Sequence, residues 1–143
     1  MSTAANKALV LRFYQQVFNG RQLALIDQMA IQEYDEHDPL PGQRGGRDGL
    51  KDRVSMLVEG LTPTFTVEDV IAEGDRVVVR WTNRGTHVGA FLGIPPTGRA
   101  FEFAGIDIYR LEQGRMAEHW HAIDQLTLLQ QLDLIPSQDD APA

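Results

Sequence analysis

Along the first third of the chain, apolar residues recur with a helical period. Val10, Phe13, Tyr14 and Val17 stand at i, i+3, i+4 and i+7, the buried stripe of a helix over residues 4–18. Ser2 or Thr3 can cap its start, and Asn19-Gly20 is a stop signal. A second, shorter helix is expected from about Arg21 to Met29, with Leu23, Ile26 and Ala30 on its apolar side. The acidic run Glu33–Asp38 then meets Pro39 and Pro41, so it reads as a short extended piece entering a loop. Beyond a Gly-rich segment at 43–46, Leu50, Val54, Leu57, Val58 and Leu61 keep the 3.6 period of a third helix, which Gly60 and Pro63 end.

From Thr64 the period changes to two. Phe65, Val67, Asp69 and Ile71 alternate with Thr66, Glu68, Val70 and Ala72, and Glu73-Gly74-Asp75 makes a turn. A long strand follows over Arg76–Val88, with Val77, Val79 and Trp81 on one face. The segment Gly93–Gly98 is a loop, Ala100–Leu111 a third strand, Glu112-Gln113-Gly114 a turn and Arg115–Ile123 a fourth strand. Asp124 reads as the N-cap of a last helix over 125–132. Three helices, a four-strand antiparallel meander and a short helix argue an α+β fold, with helices covering one face of a curved sheet. Such a sheet makes a cone with a pocket inside.

Length and composition narrow the function. A chain of 143 residues fits one domain, taken here as 1–135, with 136–143 a disordered acidic tail. Cysteine is absent, which excludes a disulfide scaffold, a Cys-zinc site and a thiol nucleophile. Twenty acidic residues against 13 basic give a net charge of −7, the wrong balance for a nucleic-acid binder. No stretch approaches the roughly 18 apolar residues of a membrane-crossing helix. The first residues lack the apolar run of a secretory leader, so the chain reads as soluble and cytoplasmic. There is no Gly-x-Gly-x-x-Gly, no P-loop and no Gly-x-Ser-x-Gly elbow.

The chemistry-bearing residues concentrate in Glu118-His119-Trp120-His121-Ala122-Ile123-Asp124. On a strand, His119 and His121 share a face. If Leu111 opposes Arg115 across the turn, Asp107 sits opposite His119 and diagonal to His121. An acid between Ile106 and Ile108 needs a partner, and an imidazole supplies one that exchanges a proton near neutral pH. Catalytic candidates are therefore His121, Asp107 and His119. A satisfied polar pair under a helix is the bland alternative, and His-x-His plus Asp also resembles a catalytic metal triad. The expectation is no metal, because the three groups are consumed by one another. His37, held by Pro39, is a candidate at the pocket rim, or one His in a solvated acidic loop. Arg80 is read as a buried cation near Asp107 rather than an exposed sheet residue. Tyr14 can aim its hydroxyl into the pocket. Trp81 and Phe103 read as core residues of the inner face and, with Tyr14, His37, Arg80 and Asp124, complete the candidate substrate-binding set.

Three segments together are similar to one family. They are Arg84-Gly85-Thr86-His87-Val88-Gly89-Ala90-Phe91-Leu92-Gly93-Ile94-Pro95-Pro96-Thr97-Gly98-Arg99, then Gly105-Ile106-Asp107-Ile108-Tyr109-Arg110, then Gly114–Asp124 with Leu129-Gln130-Gln131-Leu132. They resemble SnoaL-like polyketide cyclases of the NTF2-like superfamily. The resemblance implies an NTF2-like cone, a homodimer, and no metal or organic cofactor. It also implies ring closure by intramolecular aldol condensation, with one aspartate doing the acid/base work. Those cyclases carry His-x-Asp on the last strand and a His on its neighbour; here His119-x-His121 faces Asp107, as if the partners were exchanged.

The resulting expectation is a cofactor-free lyase or isomerase. His121, polarised by Asp107, takes a proton α to a carbonyl of an apolar small molecule, and His119 stabilises the enolate. A hydrolase or dehydratase of the same fold, or a non-catalytic ligand-binding dimeric module, are the alternatives. A cavity of several hundred Å³ touching both side chains would favour the enzyme; a closed pair, the module. The outer sheet face, with Ile106, Ile108, Trp120 and Ala122, is the expected homodimer surface.

Overall fold

The computed structural model describes residues 2–137, so the tail expected over 136–143 lies almost wholly outside the described residues. Helix α1 runs over Thr3–Arg12 and continues as a wider, π-type turn over Phe13–Asn19. The Ser2 hydroxyl caps it, accepting from the Ala5 N–H at 3.1 Å. Val10, Phe13, Tyr14 and Val17 are fully buried, as their spacing requires. The expected second helix starts only after Arg21, whose positive φ of 57° lies outside the helical region, and it is a 3₁₀ turn over Leu23–Leu25 running directly into α2 over Ile26–Met29. Helix α3 spans Gly46–Leu61.

The strands are β1 (Ala30–Glu36), β2 (Thr64–Glu73), β3 (Arg76–Thr86), β4 (Ala100–Glu112) and β5 (Arg115–Ile123), with α4 over Gln125–Gln131. They form one sheet in the order β1-β5-β4-β3-β2. The expected four-strand meander is thus a five-strand sheet. The acidic segment ahead of Pro39 is a real edge strand, paired parallel with β5, and His37 N–H donates to the His119 carbonyl at 3.0 Å. Helices α1 and α3 pack inside the curve, against β2 and β1 respectively.

The register between β4 and β5 decides the site. Glu112 pairs with Arg115, so the turn is the two-residue Gln113-Gly114, one residue tighter than expected. A bulge at Ala117 then shifts pairing by one more residue, from Leu111↔Met116 to Arg110↔Glu118. Asp107 therefore stands opposite His121, not His119. Two one-residue departures add to two, and a shift of two keeps every side chain on its face.

Gly105 fixes the floor of the cone. It pairs with Trp81, and a Cβ there would stand 2.4 Å from the indole ring. Its absence lets Trp81 lie flat across β4 and reach Asp107, two residues on.

Candidate active site

Inside the curve lies a cavity of about 430 Å³ with a largely apolar wall that includes Phe13, Leu57, Phe65, Trp81, Phe103 and Leu128. Asp38, Arg53, Asp107, His119 and His121 converge on it.

Asp107 and His119 form its buried floor. Asp107 is 6% exposed and accepts from three donors: His119 Nε2 at 2.8 Å, Trp81 Nε1 at 2.6 Å and the Tyr14 hydroxyl. Tyr109 donates in turn to the Tyr14 oxygen at 2.8 Å. The other nitrogen of His119, Nδ1, meets Glu36 Oε2 at 2.6 Å. An imidazole between two carboxylates donates from both nitrogens, which makes it an imidazolium. Burial pushes His119 down, but the charge of Asp107 and the hydrogen bonds to Asp107 and Glu36 outweigh it and push it up to about 9. Burial likewise pushes Asp107 up, and His119, with the Tyr14 and Trp81 hydrogen bonds, holds it below the ordinary carboxylate range. Glu36 is held low in the same way by His119 and Arg53. Burial, then the Asp107 charge, raises Tyr14 and Tyr109 well above an ordinary phenol.

His121 is treated oppositely. Arg53, reaching in from α3, donates from Nη2 to its Nδ1 at 2.6 Å. Burial, then the Arg53 charge, lowers its pKa, so the ring stays neutral. A guanidinium cannot accept a hydrogen bond, so Nδ1 holds the lone pair and the proton sits on Nε2. Arg53 also donates to the Asp38 carbonyl at 3.0 Å and lies 3.5 Å from Glu36. Asp38 accepts the His121 backbone N–H on Oδ2 at 2.9 Å; its other oxygen has no hydrogen bond among the described residues.

The expected trio is thus together in the cavity wall, but its pairing differs: Asp107 bonds His119, and His121 bonds Arg53. Trp81 and Phe103 line the cavity. Tyr14 is buried behind Asp107 and outside the wall. Arg80 is no buried cation. It is exposed on the outer face and pairs with Asp69 at 2.7 Å. The alternation that turns Val79 and Trp81 inward turns Arg80 out. His37 is not at the rim but on the outer side, bonded to Glu118 at 2.6 Å and stacked 4.6 Å from Trp120. Asp124 caps α4, accepting from the Thr127 N–H at 3.1 Å.

Oxygen and nitrogen atoms of Asp107, His119 and His121 lie within 4.8 Å of one another, close enough to share an ion. The donor set opposes one. Both His119 nitrogens and the Asp107 oxygens are already bonded, and a guanidinium sits on His121.

Glu36, Asp38 and Arg53 were missed in the sequence. The alternation Tyr34-x-Glu36-x-Asp38 was the available signal for the two acids. No local pattern marks Arg53, whose place depends on how α3 crosses β1.

Comparison with known proteins agrees with this architecture. No curated protein sequence matches the chain at a significant level. Among solved structures, TsrD from Streptomyces laurentii is 30% identical, with 94% of this chain and 99% of that one covered and a TM-score of 0.85. IdmH from Streptomyces antibioticus, a polyketide cyclase candidate, is 29% identical over 90% and 98%, with a TM-score of 0.76. A SnoaL-like polyketide cyclase from Agrobacterium tumefaciens, at 18% identity over 92% and 99% and a TM-score of 0.76, shares the fold. The family model for SnoaL-like polyketide cyclases matches residues 8–132, and the chain belongs to that family.

Proposed function

We propose that the protein is a cofactor-free acid/base catalyst that removes a proton α to a carbonyl of an apolar small molecule, leading to aldol-type cyclisation or isomerisation. The observation that carries this reading is the neutral His121, its Nδ1 held by Arg53, beside the free Asp38 oxygen in an apolar cavity. The cavity volume of about 430 Å³ supports an enzyme over a closed, purely structural pair.

The chemistry follows from which lone pairs are open. His119 has none to offer, and both Asp107 oxygens are already hydrogen-bonded, so they supply fixed charge and shape. Asp38 takes the α proton. The C–H electron pair moves into the enolate, whose oxygen receives a hydrogen bond from His121 Nε2–H, a neutral imidazole acting as an electrophile. The enolate carbon then attacks a second carbonyl, and the new alkoxide takes back the proton from Asp38. In this reading His121 keeps a catalytic place, but as donor rather than base.

The test is deuterium uptake at the α carbon of 2-tetralone in D₂O, followed by NMR. Exchange above the buffer rate with the wild-type protein, and a fall of about 10²–10⁴ in Asp38→Asn, is the expected result. Exchange at the buffer rate under saturating ketone would overturn the reading.

The homodimer belongs to the same proposal. Ile106 is 44% exposed in the middle of the outer sheet face, with Ile108 and Trp120 beside it. A second copy seated there would cover them. Light scattering should show twice the 16.0 kDa chain mass; a single chain mass at micromolar concentration would refute the dimer.

A further inference from the structure

His87 and Asn83, like Tyr34 and Gln125, are polar residues of the cavity wall that the chemistry above leaves unused. His87 and Asn83 are each 1% exposed. His87 Nδ1 accepts the Thr97 backbone N–H at 3.2 Å and lies 3.1 Å from the Thr97 hydroxyl. The Arg99 N–H donates to that hydroxyl oxygen at 3.3 Å, which turns its proton toward Nδ1. A backbone N–H cannot accept, so Nδ1 holds the lone pair and the neutral ring carries its proton on Nε2. That Nε2 has no hydrogen-bond partner among the described residues, and neither has Asn83 Oδ1. A buried donor and a buried amide left unmade are costly, and such groups in a cavity wall call for a partner from the ligand.

Their position sets the ligand's length. On β3, Asn83 opposes Phe103, while Val79 opposes Asp107. Four residues of strand put Asn83 roughly 13 Å from the level that Asp107 shares with its cross-strand neighbour His121, with Trp81 between them. Hydrogen bonds of about 2.9 Å at each end leave roughly 7 Å between the ligand's polar atoms. A flat bicyclic ring system spans that length.

We propose that His87 and Asn83 form a second recognition pole, which binds an oxygen substituent at the end of the ligand remote from Asp38 and His121. The substrate class is then a flat, apolar ketone oxygenated at both ends. His87 Nε2–H donates to the remote oxygen, and Asn83 Oδ1 accepts from a neighbouring hydroxyl. This deepens the catalytic reading and rests on its orientation of the ketone.

The test compares 6-methoxy-2-tetralone with 6-ethyl-2-tetralone, nearly the same shape with and without the remote oxygen, by titration calorimetry. The wild-type protein should bind the methoxy compound about fivefold more tightly, the worth of one hydrogen bond. His87→Asn keeps an acceptor for Thr97 but has no group at the Nε2 position, and should erase the preference. His87→Gln places an amide near the Nε2 position and should retain part of it. Equal affinities in the wild type, or a preference that survives His87→Asn, would overturn the second pole; the wild-type ligand pair decides the matter even if a variant fails to fold. Deuterium exchange on unsubstituted 2-tetralone reads the other proposal separately. A missing preference with exchange intact defeats this pole alone, and missing exchange with the preference intact defeats the catalytic reading alone.

Discussion

His119 and His121 are two residues apart on one face of β5, yet the protein holds them in opposite states. Around His119 every hydrogen-bonding position is filled: Asp107 on Nε2, Glu36 on Nδ1, and behind Asp107 the Tyr14 and Trp81 donors. Around His121 one nitrogen is held by Arg53 and the neighbouring Asp38 keeps an open oxygen. Two carboxylates favour the imidazolium in the first; burial and a guanidinium favour the neutral ring in the second. Paired groups whose surroundings push their protonation apart are how one site runs acid and base steps at a single pH. The filled floor sets the field, and the open wall is where a substrate can exchange a proton.

Substitutions should separate the two regions. At the wall, Asp38→Asn keeps an oxygen for the His121 N–H but removes the base. Its exchange rate should fall by about 10²–10⁴ while urea unfolding moves by no more than about 0.5 kcal/mol. On the floor, Asp107→Asn breaks a buried ion pair and should cost about 3–5 kcal/mol of stability in the same urea experiment. A loss below 1 kcal/mol there would mean the floor is not the electrostatic frame described.

The dependence on pH sharpens the contrast. His119 titrates higher in the fold than in the unfolded chain. Its contribution is therefore fully present below about pH 6.5 and lost as pH rises through about 9. Asp107 and Glu36 are held low, so their contribution is present above about pH 4 and lost as pH falls below it. His121 adds to the acid side: its lowered pKa means the unfolded chain binds a proton the fold resists, a penalty that grows below about pH 6.5. Thermal melts across pH 4–10 should fall at both ends, and His119→Gln should flatten the alkaline limb. The smallest effect belongs to the outer face. Arg80→Ala removes an exposed pair with Asp69 and should change stability by less than about 0.5 kcal/mol with exchange untouched.

How far the sequence reached depended on the range of the signal. The period-two alternation placed Asp107, His119 and His121 on one face because side-chain parity survives the tighter turn and the Ala117 bulge together. It could not say which His stands opposite Asp107, since that turns on the tighter turn and the bulge together, and nothing local in Arg115–Glu118 announces the bulge. Arg80 was legible and misread: the alternation that set Trp81 inward already set it outward. Edge strand β1 was hidden by its charge. Asp35, Glu36, His37 and Asp38 look like a solvated loop, but the Glu36 side chain is buried against the site and Asp38 reaches the cavity, while His37 faces out to Trp120. Arg53 lies in α3 among ordinary helix positions, and its role exists only once α3 packs against β1.

The most direct test of the division between floor and wall is ¹⁵N NMR of the histidine rings as a function of pH. The expected result is a His119 ring protonated on both nitrogens up to about pH 9, beside a His121 ring that is neutral at pH 7 with its proton on Nε2. A His119 that loses its proton near pH 6.5, or a His121 that is charged or protonated on Nδ1 at pH 7, would contradict it.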